Sequence, residues 1–174
     1  MAKIQNAGHW RCVVTITPME KELAAVGMSV ATGCKPCTDF HVKAARKSGA
    51  SDAQIKQAMT EAFSVRRGAT EIMEAHGFAH FPGNNPAFDP ERVGKADRVK
   101  ELVCIGAAFG VNCVSTLKAH LDAAESVGIS HDDIITIAKL SAFIKGKAAS
   151  HVEHLIESLD KPEATYEKAV SACC

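Results

Sequence analysis

The stretch Gly33-Cys34-Lys35-Pro36-Cys37-Thr38-Asp39-Phe40-His41 sets two thiols and an imidazole at spacings that can do chemistry. Proline suits the first turn of a helix, where a missing N–H costs nothing. Pro36 therefore predicts a helix with Cys34 at its N-terminal edge and Cys37 in its first turn. Cys37 and His41 are four apart and share a face, and Cys34, seven from His41, returns to that face. Two thiols and an imidazole are thus expected to converge, beside helix-start N–H groups that favour a thiolate. Glu22, with eleven residues between it and Cys34, reaches the same spot if its own helix packs antiparallel to this one.

Several chemistries compete for this pattern. A structural zinc site takes four ligands, and the second close cysteine pair, Cys173/Cys174, stands far off in the C-terminal tail. A c-type haem needs histidine directly after the second cysteine, where Thr38 stands. A thioredoxin fold places the pair after a strand, whereas the pattern ahead of Cys34 is helical. A buried structural pair is the plainest alternative. Dithiol redox chemistry fits best. Lowering a thiol's pKa from about 8.5 to about 6 raises its thiolate fraction at pH 7 roughly thirty-fold but lowers its nucleophilicity roughly thirteen-fold, a net gain of about two-fold. Positioning of the substrate and protonation of its leaving atom must therefore supply more, on the order of 10² to 10⁴. His41 and Glu22 are the groups suited to that work.

The elements that must position these residues are marked by helix punctuation. Thr17-Pro18-Met19-Glu20 is a capping box with proline at the first helical position, and Gly33 is a natural stop. Gly49 ends the helix that Pro36 opens, and Ser51-Asp52-Ala53-Gln54 caps a third. A shift of 79 residues then superposes Lys21-Glu22-Leu23 on Lys100-Glu101-Leu102, Gly27 on Gly106, Cys34 on Cys113, His41 on His120 and Gly49 on Gly128. From residue 21 to 74 there are 13 identities in 54 ungapped positions, many on punctuation, which marks a duplication. In the second copy Gly110/Asn112, Gly128 and Ser130 carry the corresponding signals, and Asp89-Pro90-Glu91 reads as the cap of the helix leading in. The expected fold is all-α, a duplicated three-helix unit. Residues 1–76 form the first copy, 77–90 a connector with pocket-wall potential, 91–160 a degenerate second copy and 161–174 a tail. A short β-branched run, Val13 to Thr17, is the one strand-like exception.

Composition bounds the rest. With 174 residues, 20 basic and 20 acidic side chains and a pI near 7.1, the chain lacks the basic face of a nucleic-acid binder. No stretch approaches the ~20 apolar residues of a membrane span, and no signal-peptide core stands out, so a cytoplasmic protein is expected. Thiols stay reduced there, which points the seven cysteines away from structural disulfides. Cys104 reads as a small core hydrophobe and Cys12 is uninformative. Cys173 and Cys174 suit a loose chain end, or an electron shuttle. His151 and His154 read as solvated. Lys43, Arg46, Lys47, Arg66 and Arg67 form a basic, solvated face, and Met19, Met28, Met59 and Met73 read as core or interface.

Glu22, Cys34, Cys37 and His41 together resemble the redox signature of the alkylhydroperoxidase D branch of the carboxymuconolactone decarboxylase family. The resemblance covers residues 18 to about 76, and 97 to about 158 as the degenerate copy. It implies a helical fold assembled as a homotrimer or homohexamer. It also implies reduction of hydroperoxides or disulfides without flavin, haem or metal, with an external lipoyl or thioredoxin-like dithiol as electron donor. By that resemblance Cys37 attacks, Cys34 resolves, and Glu22 with His41 relays protons. Two features depart from it. The working motif of well-known two-repeat relatives lies in the second half, and here it lies in the first. The second copy keeps Glu101, Cys113 and His120 but has Thr116 in place of the second thiol. A non-redox lyase of the decarboxylase type, which works without the cysteine pair, and a thiol or soft-metal binding protein are the alternatives.

Overall fold

The computed structural model describes residues 15–83 and 95–160. Helix α1 spans Pro18–Thr32, α2 Lys35–Lys47 and α3 Asp52–Phe78; α4 spans Arg98–Gly110, α5 Val114–Ser126 and α6 His131–Glu157, followed by a 3₁₀ turn over Ser158–Asp160. No strand occurs among the described residues. The all-α expectation holds there. Helix α3 ends at Phe78, and α4 begins at Arg98 behind the cap Asp97. Asp89-Pro90-Glu91, Val13 and Val14 of the Val13 to Thr17 run, Cys12, the tail pair Cys173/Cys174 and residues 84–90 of the connector lie outside the described residues, and Thr15 to Thr17 are not a strand.

The punctuation works as read. Thr17 and Glu20 exchange the reciprocal hydrogen bonds of a capping box, as do Ser51 and Gln54. Gly33 closes α1 at φ 75°, and Asn112, its counterpart under the 79-residue shift, takes φ 59° after α4. Asparagine is among the few side chains that tolerate this left-handed turn.

Helices α1 and α4 form the centre. Each is apolar on nearly every side and is buried over Leu23–Ala31 and Leu102–Ala108 respectively, as a helix without a polar face must be. The second helix of each copy packs on its own first helix, α2 on α1 and α5 on α4. The third helices cross over: α3 also packs on α4 and α5, and α6 also packs on α1 and α2. The two copies therefore share one core, and neither buries its faces alone.

Gly27 and Gly106, equivalent in the two copies, make the central crossing close. A Cβ at Gly27 would lie 2.6 Å from Val103 Cγ1. One at Gly106 would lie 2.5 Å from Met28 Cε and 2.7 Å from its Cγ. Val103 is stiff at χ1 whereas Met28 is adaptable. Gly27→Ala is therefore expected to cost about 1–3 kcal/mol by overpacking, against the ~1 kcal/mol that alanine ordinarily gains in a helix. Gly68, with nothing within 4 Å of an added Cβ, should show the opposite sign when changed to alanine. Urea unfolding of the two variants checks both directions; a stabilised Gly27→Ala would refute the close crossing.

Candidate functional site

Cys34 is the N-cap of α2, in extended backbone at φ −91° and ψ 102°, and Pro36 occupies the first turn behind it. This fixes the Cys34 side chain over the helix start, where the Cys37 N–H donates to Cys34 Sγ at 3.3 Å. The helix N-terminus thus serves Cys34 rather than Cys37. Cys37 is buried one turn on, and both cysteines belong to a core cluster that joins Ala24, Ala25 and Met28 of the first copy to Leu102, Ala124, Ile137 and Ile144 of the second. The dithiol of copy one therefore sits against the interior of copy two.

Burial, foremost, and then the hydrogen bond to Cys34 and its charge push the Cys37 thiol up to about 12, against a smaller downward pull from Lys147. The lowered pKa that the sequence suggests for an attacking thiol does not arise at Cys37. Burial thus disfavours a standing Cys37 thiolate at pH 7. Any step in which Cys37 attacks needs a base to take its proton as the bond forms.

His41, one turn beyond Cys37 on α2, is buried and holds Glu22 Oε2 at 2.9 Å through Nδ1. Glu22 does reach across from α1, as the spacing requires. The carboxylate fixes the tautomer with the proton on Nδ1, which leaves Nε2 as the nitrogen for proton exchange. The expectation that His41 itself closes on both thiols is corrected. The imidazole that joins Cys34 and Cys37, with all three ligand atoms within 4.8 Å of one another, belongs to His151.

His151 is the residue that the sequence reading missed. It was expected in solvent, yet it is half-buried on α6 with Nδ1 3.2 Å from Cys34 Sγ. The cause is the crossover of α6 onto α1 and α2, a tertiary feature that linear spacing does not encode. His154 is exposed, as expected, and pairs with Glu157 at 3.1 Å. Two thiolates and one imidazole fall one ligand short of a closed structural zinc site.

The second copy repeats the scaffold without the dithiol. His120 Nδ1 lies 2.7 Å from Glu101 Oε2, and Cys113 Sγ lies 3.0 Å from Thr116 Oγ1, in the place where copy one has Cys37. This pair is more deeply enclosed, with Glu101 at 0% exposure, and Glu101 Oε1 has no partner among the described residues. Cys104 is buried in the centre, and burial, with smaller contributions from Glu61 and Glu101, holds its thiol well above the ordinary range. That fits a small core residue. Of the basic face, Arg46 pairs with Asp52 in solvent, while Arg66 donates to the Ala31 carbonyl at 3.3 Å. Met28 is core, Met19 and Met59 pack against it in part, and Met73 is exposed.

Residues 1–80 match the model of the Carboxymuconolactone decarboxylase family, so the N-terminal resemblance is borne out. A protein of Paracoccus denitrificans described as "Uncharacterized protein 4 in cox locus" is 43% identical over 49 residues, 28% of this chain and 44% of that relative. The chain thus covers less than half the length of the curated relative that it matches. No solved structure matches the chain.

Proposed function

We propose that this chain, with its carboxymuconolactone decarboxylase family match over residues 1–80, is a cofactor-free dithiol peroxidase and disulfide reductase of the alkylhydroperoxidase D type. The observation that carries the reading is the Cys34–Cys37 pair itself: two buried thiols at a helix start, with a nitrogen of the His151 ring within 4.8 Å of both sulfurs. In this reading a hydroperoxide oxidises one sulfur to a sulfenic acid, the other closes the disulfide, and water leaves. His41, fixed by Glu22, exchanges the proton of Cys37. An external dithiol, lipoyl or thioredoxin-like, returns the pair to the reduced state.

Exposed apolar side chains support assembly with further copies. Phe40 on α2 and Phe143, Val152 and Ile156 on α6 are all exposed, large apolar side chains that contact with further copies would cover. A homotrimer or homohexamer is the assembly proposed. No described helix is long and apolar enough to cross a membrane.

The test is a thiol count. Incubation of the reduced full chain with an alkyl hydroperoxide should remove two free thiols per chain, and Cys37→Ser should prevent this. Cys113→Ser should leave the loss unchanged. Retained thiols with turnover of a lactone would replace this reading with the decarboxylase one, and tight stoichiometric metal without turnover with a soft-metal binding role.

A further inference from the structure

The two cysteines of the pair are not equivalent. Cys34 Sγ accepts the Cys37 N–H at the start of α2 and stands 3.2 Å from His151 Nδ1. An imidazole at that distance shares a proton with the sulfur, as S–H···N or as S⁻···H–N⁺. Cys37 Sγ, although within 4.8 Å of a His151 nitrogen, makes no such hydrogen bond to the ring, and its amide N–H donates to Cys34 Sγ. Lys147, one turn before His151 on α6, adds positive charge to the same region.

The duplication supplies a second observation. Under the 79-residue shift His151 corresponds to Ile72 and Lys147 to Gly68, both on α3, the helix that crosses to the second copy. The copy that lost its second thiol, Thr116 for Cys37, is thus served by a third helix without histidine or lysine at these places. The copy that keeps both thiols receives both side chains. Dithiol and third-helix partners are present or absent together.

We propose that His151, carried to the site by the second copy, is the acid–base partner of Cys34 and makes Cys34 the attacking sulfur of the pair. This rests on the dithiol reading above and reverses the order that the family resemblance implies. As Cys34 Sγ attacks the outer oxygen of R–O–O–H, its proton passes to Nδ1. The O–O bond breaks, Cys34 becomes a sulfenic acid, and the imidazolium returns the proton to the departing alkoxide, giving R–OH. Cys37 Sγ then attacks the Cys34 sulfur while His41 takes the Cys37 proton. The S–O bond breaks, hydroxide leaves and collects that proton as water, and the disulfide is closed. Two thiols are oxidised and one hydroperoxide reduced. The degenerate second copy then provides the catalytic histidine.

The experiment uses the reduced full chain and iodoacetamide, with alkylation mapped to each cysteine. Cys34 should react faster than Cys37. His151→Ala should slow Cys34 on the order of 10²-fold, and added free imidazole should restore part of the rate, which a purely structural residue would not allow. His151→Gln, which keeps bulk and polarity but not basicity, should be equally slow. Faster alkylation of Cys37, or an unchanged Cys34 rate in His151→Ala, overturns the proposal. A second arm adds hydroperoxide and dimedone. Cys37→Ser should yield a dimedone adduct on Cys34; an adduct on Cys37 in Cys34→Ser at comparable rate overturns the order. Alkylation consumes no peroxide, so it decides the inference even where hydroperoxide oxidises no thiol, a result that would instead defeat the proposed function.

Discussion

Replacing His41 by alanine should slow the conversion of dithiol and hydroperoxide to disulfide by about 10² to 10⁴-fold, the range that general acid–base catalysis supplies. The reason lies in Cys37. Burial and the adjacent Cys34 push its thiol up to about 12, so a standing thiolate contributes almost nothing at pH 7. Whichever step Cys37 performs, its proton must leave as its sulfur attacks, and His41 lies one turn further along the same helix face. Glu22 Oε2, 2.9 Å from Nδ1, holds that ring in place. Glu22→Gln should act in the same direction, because an amide can donate to Nδ1 and fix the opposite tautomer. Thiol loss followed by rapid mixing measures both variants. A rate near that of the unmodified chain in His41→Ala would show that Cys37 finds another base.

The parts of this site that were legible in the sequence are those set by local chain geometry. Capping residues Thr17/Glu20 and Ser51/Gln54 fix where helices begin, and Gly33 with Asn112 fixes where they end. Glu22 and His41 meet because a short αα-hairpin between them leaves few other arrangements, and the same 19-residue separation joins Glu101 to His120. His151 was not legible, because its approach to Cys34 depends on α6 crossing from its own copy to the other. The one available signal was the pairing of His151 with Ile72 under the 79-residue shift, an asymmetry that matches Cys37 against Thr116. Arg98 was missed for a related reason. Its partners Glu20 and Asp133 have Val99 and Gln54 as counterparts, and Arg98 itself has Met19, so the duplication gives no hint of a cluster that exists once.

Removing Arg98 should destabilise the fold by about 3–5 kcal/mol, the cost of stranding buried charge. Its guanidinium donates from Nε to Glu20 Oε1 at 2.8 Å and from Nη2 to Asp133 Oδ2 at 3.0 Å. The acceptors are side chains of 11% and 3% exposure, so neither has water to fall back on. Arg98→Ala would leave two carboxylates facing each other, with the Ile16 N–H still on Asp133 and the Thr17 N–H still on Glu20. For a chain of this length the loss corresponds to a melting temperature about 6–20 °C lower. The sign with pH is a second check. Burial alone would raise the Asp133 pKa, but the hydrogen bonds from Arg98, Ile16 and Ser130 outweigh it and hold the carboxyl below its ordinary value of 3.8. A depressed carboxylate contributes stability that is present above the unfolded value and is lost as pH falls through the folded one. Arg98 has its own pKa raised, since its bonds to Asp133 and Glu20 outweigh burial; it stays charged throughout this window and adds no slope. The gap between the unmodified chain and Arg98→Ala should therefore be full at neutral pH and narrow below about pH 4. Urea unfolding at pH 7 and at pH 3 measures it; a gap within ~0.5 kcal/mol at pH 7, or one that widens in acid, would refute the assignment. The cluster ties the starts of α1, α4 and α6 together, and along α6 it lies about 27 Å from His151. A loosened clamp leaves α6 free to slide, so thiol loss in Arg98→Ala should fall further than the unfolded fraction explains, through the contact between His151 and Cys34.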